Sequence, residues 1–125
     1  MELVRSILEA FNRGDFEAVV QAVHPDIEFF RVGDQSPVRG VAALREWMEP
    51  DAFQDQRFEP LDFTVNGNKV LVHQHFTGRG AGSGMELDFT TFAVITLDDD
   101  GLVTRLEAFL PHEEADALEA AGLRE

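Results

Sequence analysis

Neither cysteine nor tyrosine occurs in the 125 residues of this chain. Without cysteine there is no disulfide, no thiolate zinc site and no cysteine nucleophile. Without tyrosine there is no phenolic general acid. Basic side chains are scarce: 10 lysines and arginines against 24 aspartates and glutamates leave a formal net charge of −14 at pH 7. So acidic a surface repels phosphate backbones and anionic lipid, which argues against nucleic acid and membrane partners. No apolar run is long enough to span a bilayer, and Met1-Glu2-Leu3-Val4-Arg5 lacks the basic-then-apolar form of a secretion signal. The expectation is a cytoplasmic protein. What is present is ordinary globular usage: 44% hydrophobic and 27% charged residues exclude wholesale disorder. The length suits one domain, residues 1–125, with one substantial core.

The first half has helical period. Leu3, Val4, Ile7, Leu8 and Phe11 form one apolar stripe, stopped by Asn12-Arg13-Gly14. Asp15 is placed to cap a second helix carrying Phe16, Val19, Val20 and Val23, ended by His24-Pro25. Ile27 and Phe29 alternate with Glu28 and Phe30 as a short strand, and Gly33-Asp34-Gln35-Ser36-Pro37 is turn chemistry. After Gly40, Val41, Leu44, Trp47 and Met48 make a third stripe, ending near Pro50. The second half has strand period. Leu61, Phe63 and Val65 alternate up to a hairpin turn at Asn66-Gly67. Strands over 70–77, 85–97 and 102–110 follow, broken by the Gly78–Gly84 loop and by Asp98-Asp99-Asp100-Gly101. Short connections imply antiparallel neighbours. Residues 111–121 read as a final acidic helix, with Gly122 past its end. Helices first and strands afterwards indicate an α+β fold.

Several short motifs, in this order, resemble the SnoaL-like branch of the nuclear transport factor 2-like superfamily. They are Asn12-Arg13-Gly14-Asp15, His24-Pro25-Asp26-Ile27-Glu28-Phe29, Val38-Arg39-Gly40, Phe76-Thr77-Gly78 and Asp100-Gly101-Leu102-Val103. The resemblance covers nearly the whole chain. It implies a nuclear transport factor 2-like (cystatin-like) cone, a curved antiparallel sheet wrapped around the N-terminal helices. It also implies a pocket inside the cone and a homodimer across the outer sheet face. The family includes polyketide cyclases, steroid isomerases, epoxide hydrolases, dehydratases and inert binding domains, so fold alone does not give an activity. The steroid isomerase set is lost: Arg31, Ile7 and Ala93 stand at the positions of its aspartate base, tyrosine and second aspartate. The Asp-Arg-Asp set of the epoxide hydrolases has no match either.

In Val70-Leu71-Val72-His73-Gln74-His75-Phe76-Thr77, alternate side chains share a face. Alignment with the family turns Leu71, His73, His75 and Thr77 into the cone. It sends Val70, Val72, Gln74 and Phe76 to the outer face, the apolar three to build the dimer with Phe92, Val94 and Phe109. The inward set then includes Phe29, Arg31, Phe89, Thr91, Leu106 and Ala108, with Trp47 closing the wide end. On this reading His73, His75 and Arg31 are the catalytic centre of an otherwise apolar small-molecule pocket. Arg31 would orient a carbonyl or carboxylate, and a histidine would move a proton. The other reading of the two histidines is a solvated face. No metal and no cofactor is expected, because no third ligand joins the two imidazoles. The Gly78–Gly84 stretch does not open a helix, so it reads as a hairpin tip instead of a phosphate loop. His24, Asp26 and the His112-Glu113-Glu114 run read as structural. Two functions stand: a small-molecule binder, as a cofactor-free isomerase, cyclase, dehydratase or hydrolase; or a non-enzymatic dimerisation or protein-interaction domain with a packed cone.

Overall fold

The computed structural model describes residues 2–31, 34–48, 53–80 and 84–123. Gly33, Pro50 and the Ala81-Gly82-Ser83 part of the glycine-rich loop lie outside them. The chain opens with α1 (Glu2–Asn12) and α2 (Phe16–Gln21). Between them Gly14, at φ +77°, lets the backbone turn left-handed. The amide of Gly14 donates to the carbonyl of Phe11, and that of Asp15 to the carbonyl of Ala10, the paired bonds of a Schellman end. The Asp15 carboxylate then accepts from the amide of Ala18 and starts α2. Both helix boundaries follow from side chains legible in the sequence.

Strand β1 (Val23–Phe30) begins earlier than the sequence suggests. Val23 is its first residue, not the last of α2, because it finds a partner across the sheet in Val103. A two-residue strand, β2 (Val38–Arg39), pairs back onto β1 and leads through Gly40 into α3 (Val41–Met48). Three long strands follow: β3 (Phe53–Asn66), β4 (Lys69–Gly80) and β5 (Glu86–Leu97). Strand β6 (Val103–Phe109), a 3-10 turn (Pro111–Glu113) and α4 (Glu114–Ala120) complete the chain. The β3–β4 turn is Gly67-Asn68, one residue beyond the expected place, since Asn66 and Lys69 pair across it. Among the described residues the six strands lie in the order β2-β1-β6-β5-β4-β3. The sheet is mixed, where a wholly antiparallel one was expected: β1 runs parallel to β6.

The two faces of the sheet carry different cores. Helices α1, α2 and α3 bring Val4, Ala10, Val19, Leu44 and Met48 against Ile27, Phe29, Val70, Val72, Ala93 and Ile95. This is the inner face. Phe29 and Val72 are fully buried there, each contributing about 1.5–3 kcal/mol. On the outer face α4 sets Ala117 and Ala121 against Leu71, Phe92 and Val94. The Asn66 side-chain amide donates to the carbonyl of Ala121 and the Lys69 ammonium to that of Ala120, so the β3–β4 hairpin holds the end of α4. On the free edge of β3 the Asn12 side chain donates to the carbonyl of Phe58 and accepts from its amide, both at 2.8 Å. It thereby stands in for one residue of a neighbouring strand.

Candidate functional site

Register decides which side chains enter the cone. Strands β4 and β5 pair without interruption from Lys69–Thr96 to Arg79–Glu86. Directly opposed residues share a face. Val70 faces Ile95, Val72 faces Ala93, Gln74 faces Thr91 and Phe76 faces Phe89. Because Val70, Val72, Ala93 and Ile95 belong to the inner core, so does the whole of that row. Leu106 and Ala108 join it through their pairings with Ile95 and Ala93.

His73, His75 and Thr77 therefore stand on the outer face, contrary to the family-based expectation. They oppose Phe92, Thr90 and Asp88, and Leu71 beside them is covered by α4. The physical reason is the better match of Val70 and Val72 to the three helices, with Phe76 packed beside them on Phe58 and Phe89. Two imidazoles in the same place would each need a partner or cost about 1–3 kcal/mol. On the outer face both have company. His73 stacks on Phe92 with ring centroids 4.6 Å apart and planes 12° from parallel. The Nε2 of His75 engages the Asp88 carboxylate. Thr77 and Asp88 border an open hollow of about 220 Å³ at the far end of the β4–β5 hairpin, with Gly78, Arg79, Glu86 and Leu87. A second hollow, of about 270 Å³, lies between α1 and β3 at Glu9, Asn12, Arg13 and Arg57.

Arg31 does not join the histidines. It follows the end of β1, and β6 and β5 lie between β1 and β4, a separation of about 14 Å across the sheet. Its guanidinium Nε donates to Asp34 at 2.8 Å, and its backbone amide donates to the same carboxylate. The side-chain hydrogen bond from Arg31, then the backbone one, hold the Asp34 carboxyl below its usual range, while the side-chain bond and the charge of Asp34 raise Arg31. This is a clasp closing the β1 loop at the surface, and it occupies the cation expected to meet a ligand.

Of the other expected residues, Phe29, Phe89, Thr91, Leu106 and Ala108 do lie on the inner face. Trp47 stacks on Phe29, centroids 5.1 Å apart and planes 9° from parallel. Phe29 is fully buried while Trp47 remains 38% exposed, which puts the indole at the rim. The polar residue that turns inward with Val70, Val72 and Phe76, against the family-based expectation, is Gln74. Its side chain is buried, its Nε2 donates to the Thr91 hydroxyl at 3.2 Å, and its Oε1 has no partner among the described residues. No local signal marked it, because both rows of β4 are covered and only the register with β5 says which row faces the three helices. Among the described residues no three His, Asp or Glu side chains are grouped to hold a metal ion.

Residues 4–106 match the SnoaL-like domain model. The chain belongs to the SnoaL-like domain family. No curated protein sequence matches it. Solved structures do, and they share the fold. A Sinorhizobium meliloti protein provisionally assigned as a polyketide cyclase is 28% identical, with a TM-score of 0.71 over 86% of this chain and 94% of that one. The epoxide hydrolase/cyclase-like enzyme SalBIII, of pyran ring formation in the polyether salinomycin, is 20% identical. Its TM-score is 0.78, over 86% of this chain and 87% of its own. An NTF2-like protein of unknown function from Burkholderia pseudomallei is also 20% identical, with a TM-score of 0.79 and 92% of each chain covered. Proteins of this fold thus include an enzyme with a role in pyran ring formation and a protein of unknown function.

Proposed function

We propose that this SnoaL-like chain binds a small, mainly apolar molecule between α1–α3 and the inner face of the sheet. Phe29, Trp47, Phe89, Thr91, Leu106 and Ala108 are its ligand-binding residues, now joined by Gln74. The observation that carries this reading is the Gln74–Thr91 pair, set into an apolar wall where hydrophobic side chains would pack at lower cost. Turnover at such a site is cofactor-free isomerisation, cyclisation, dehydration or hydrolysis of an uncharged carbonyl compound. SalBIII, a ring-forming enzyme of the same fold, supports the cyclase member of that set. A carboxylate ligand loses its support with Arg31, whose charge is already matched by Asp34. Catalysis by His73 and His75 within the cone loses its support with their outward placement.

Trp47 is the only tryptophan, so it reports on the rim directly. Titration with uncharged bicyclic alcohols and ketones is expected to change its emission saturably. Emission untouched by a compound that calorimetry shows to bind tightly would remove Trp47 from the site. If no compound binds at all, the rival reading, a packed interaction domain, takes its place.

A homodimer through the outer face remains part of the proposal, on narrower ground. Val70, Val72 and Phe76 are withdrawn from the expected apolar row because they face inward, and α4 packs against Phe92, Val94 and Phe109. Leu71, Phe92 and Val94 are already covered by α4, so what supports association is the partly buried Phe109 and Leu118 beside them. The net charge of −14 opposes it, so added salt should strengthen the dimer by screening. Sedimentation at micromolar concentration in moderate salt is expected to show twice the chain mass. A 14.0 kDa species throughout would exclude the dimer.

A further inference from the structure

We infer that Gln74 anchors the ligand by accepting a hydrogen bond, so that the end of the molecule entering the cone is uncharged and carries a hydroxyl or N–H donor. The inference rests on the small-molecule reading above and specifies the chemistry that this site selects.

An amide side chain has two ends to satisfy. In Gln74 one end is engaged, Nε2 donating to Thr91 Oγ1, while the carbonyl end is shut away from solvent with no partner among the described residues. Burying an acceptor in this way is unfavourable, and native proteins leave few such groups. A leucine or methionine would fill the same position between Val72 and Phe76 without that penalty. The surroundings on the strand face are apolar: Val72 and Phe76 along β4, Phe89 and Ala93 along β5. An ion inserted here would meet no opposite charge from these neighbours. Thr91 completes the pattern. Its oxygen accepts from Gln74, so its own proton is free to be donated. Side by side the pair presents an acceptor and a donor, which a single hydroxyl group matches, giving its proton to Gln74 and accepting from Thr91. A ketone or an ether would leave the Gln74 oxygen as bare as it is now. Next along the sheet two small residues, Ala93 and Ala108, oppose each other.

The test compares three probes of one size, 2-naphthol, 2-methoxynaphthalene and 2-naphthoate, on the full chain and on Gln74→Leu, by calorimetry and by amide NMR shifts. In the wild-type protein naphthol is expected to bind at least tenfold more tightly than the other two, shifting the amides of Gln74 and Thr91. In Gln74→Leu that advantage should vanish. Equal binding of all three by the wild-type protein would leave small-molecule binding standing and remove the role of Gln74. A naphthol preference that survives in Gln74→Leu would do the same, as would a preference for the ether, the pattern of an amide turned to donate. If none of the probes binds, the small-molecule reading falls and the inference with it. A second readout needs no ligand. Gln74→Leu, or Gln74→Met as the closer match in shape, is expected to melt at the same temperature as the wild type or about 2–6 °C higher, because the orphaned oxygen is gone. A fall of the same size in both variants would mark Gln74 as a structural residue and overturn the inference.

Discussion

Replacing Val72 by lysine is expected to abolish folding, whereas replacing its neighbour His73 by lysine is expected to leave a folded protein. Val72 is fully buried on the inner face and packs in the core built by α1–α3. The substitution forfeits about 1.5–3 kcal/mol of apolar burial. It also places an unpaired ammonium in a low-dielectric interior, at a penalty of several kcal/mol. Together these rival the whole stability of a domain, about 5–15 kcal/mol. At position 73 the new side chain stands on the outer face, directly across from Asp62 on β3. It loses the stack on Phe92, worth about 0.5–1.5 kcal/mol, and gains an opposite charge. Circular dichroism and thermal melting of the two purified variants measure the contrast. A folded Val72→Lys with an unfolded His73→Lys would mean that the strand is flipped and that the histidines do enter the cone.

The second large effect belongs to Phe29. This side chain is fully buried and holds the indole of Trp47 against its face. Truncation to alanine removes a ring that the surrounding core cannot close over, and such changes cost about 3–5 kcal/mol. The midpoint of urea unfolding should fall accordingly, with no change in slope. The same variant should red-shift Trp47 emission in the folded state, since the indole loses the surface that shields it. A stable Phe29→Ala with unaltered emission would contradict both the burial and the stack.

Element type was largely legible in the sequence, and the face of one strand was not. Gly14, Asp15 and Gly122 mark helix boundaries by local chemistry, so they could be read from single residues. The facing of β4 could not be read locally, because both of its rows end up covered: Val70 and Val72 by α1–α3, Leu71 by α4. Where both sides are buried, alternation alone does not say which side is which. The cross-strand partners do, and Gln74 opposite Thr91 follows only once the β4–β5 register is known. The bulge in β3 was hidden for a similar reason. Leu61 falls between Pro60, paired with Gln74, and Asp62, paired with His73, so it drops out of step with Phe63 and Val65. Arg31 was misplaced because extrapolating β1 by two residues takes no account of the carboxylate of Asp34, three positions on.

The parallel pairing of β1 with β6 also bears on how the chain reaches this shape. Val23 meets Val103 and Phe29 meets Leu106, so the strand formed first in sequence gains its main neighbour from nearly the other end. Until then β1 has only the two-residue β2 beside it. Closing a loop of that length must precede the reward of the contacts it makes, which slows folding relative to the β3–β4–β5 meander with its short turns. The meander is therefore the natural nucleus, and β1 with the N-terminal helices docks late. A nascent or truncated chain that stops before β6 leaves one edge of β1 unpaired, a template for association with other chains.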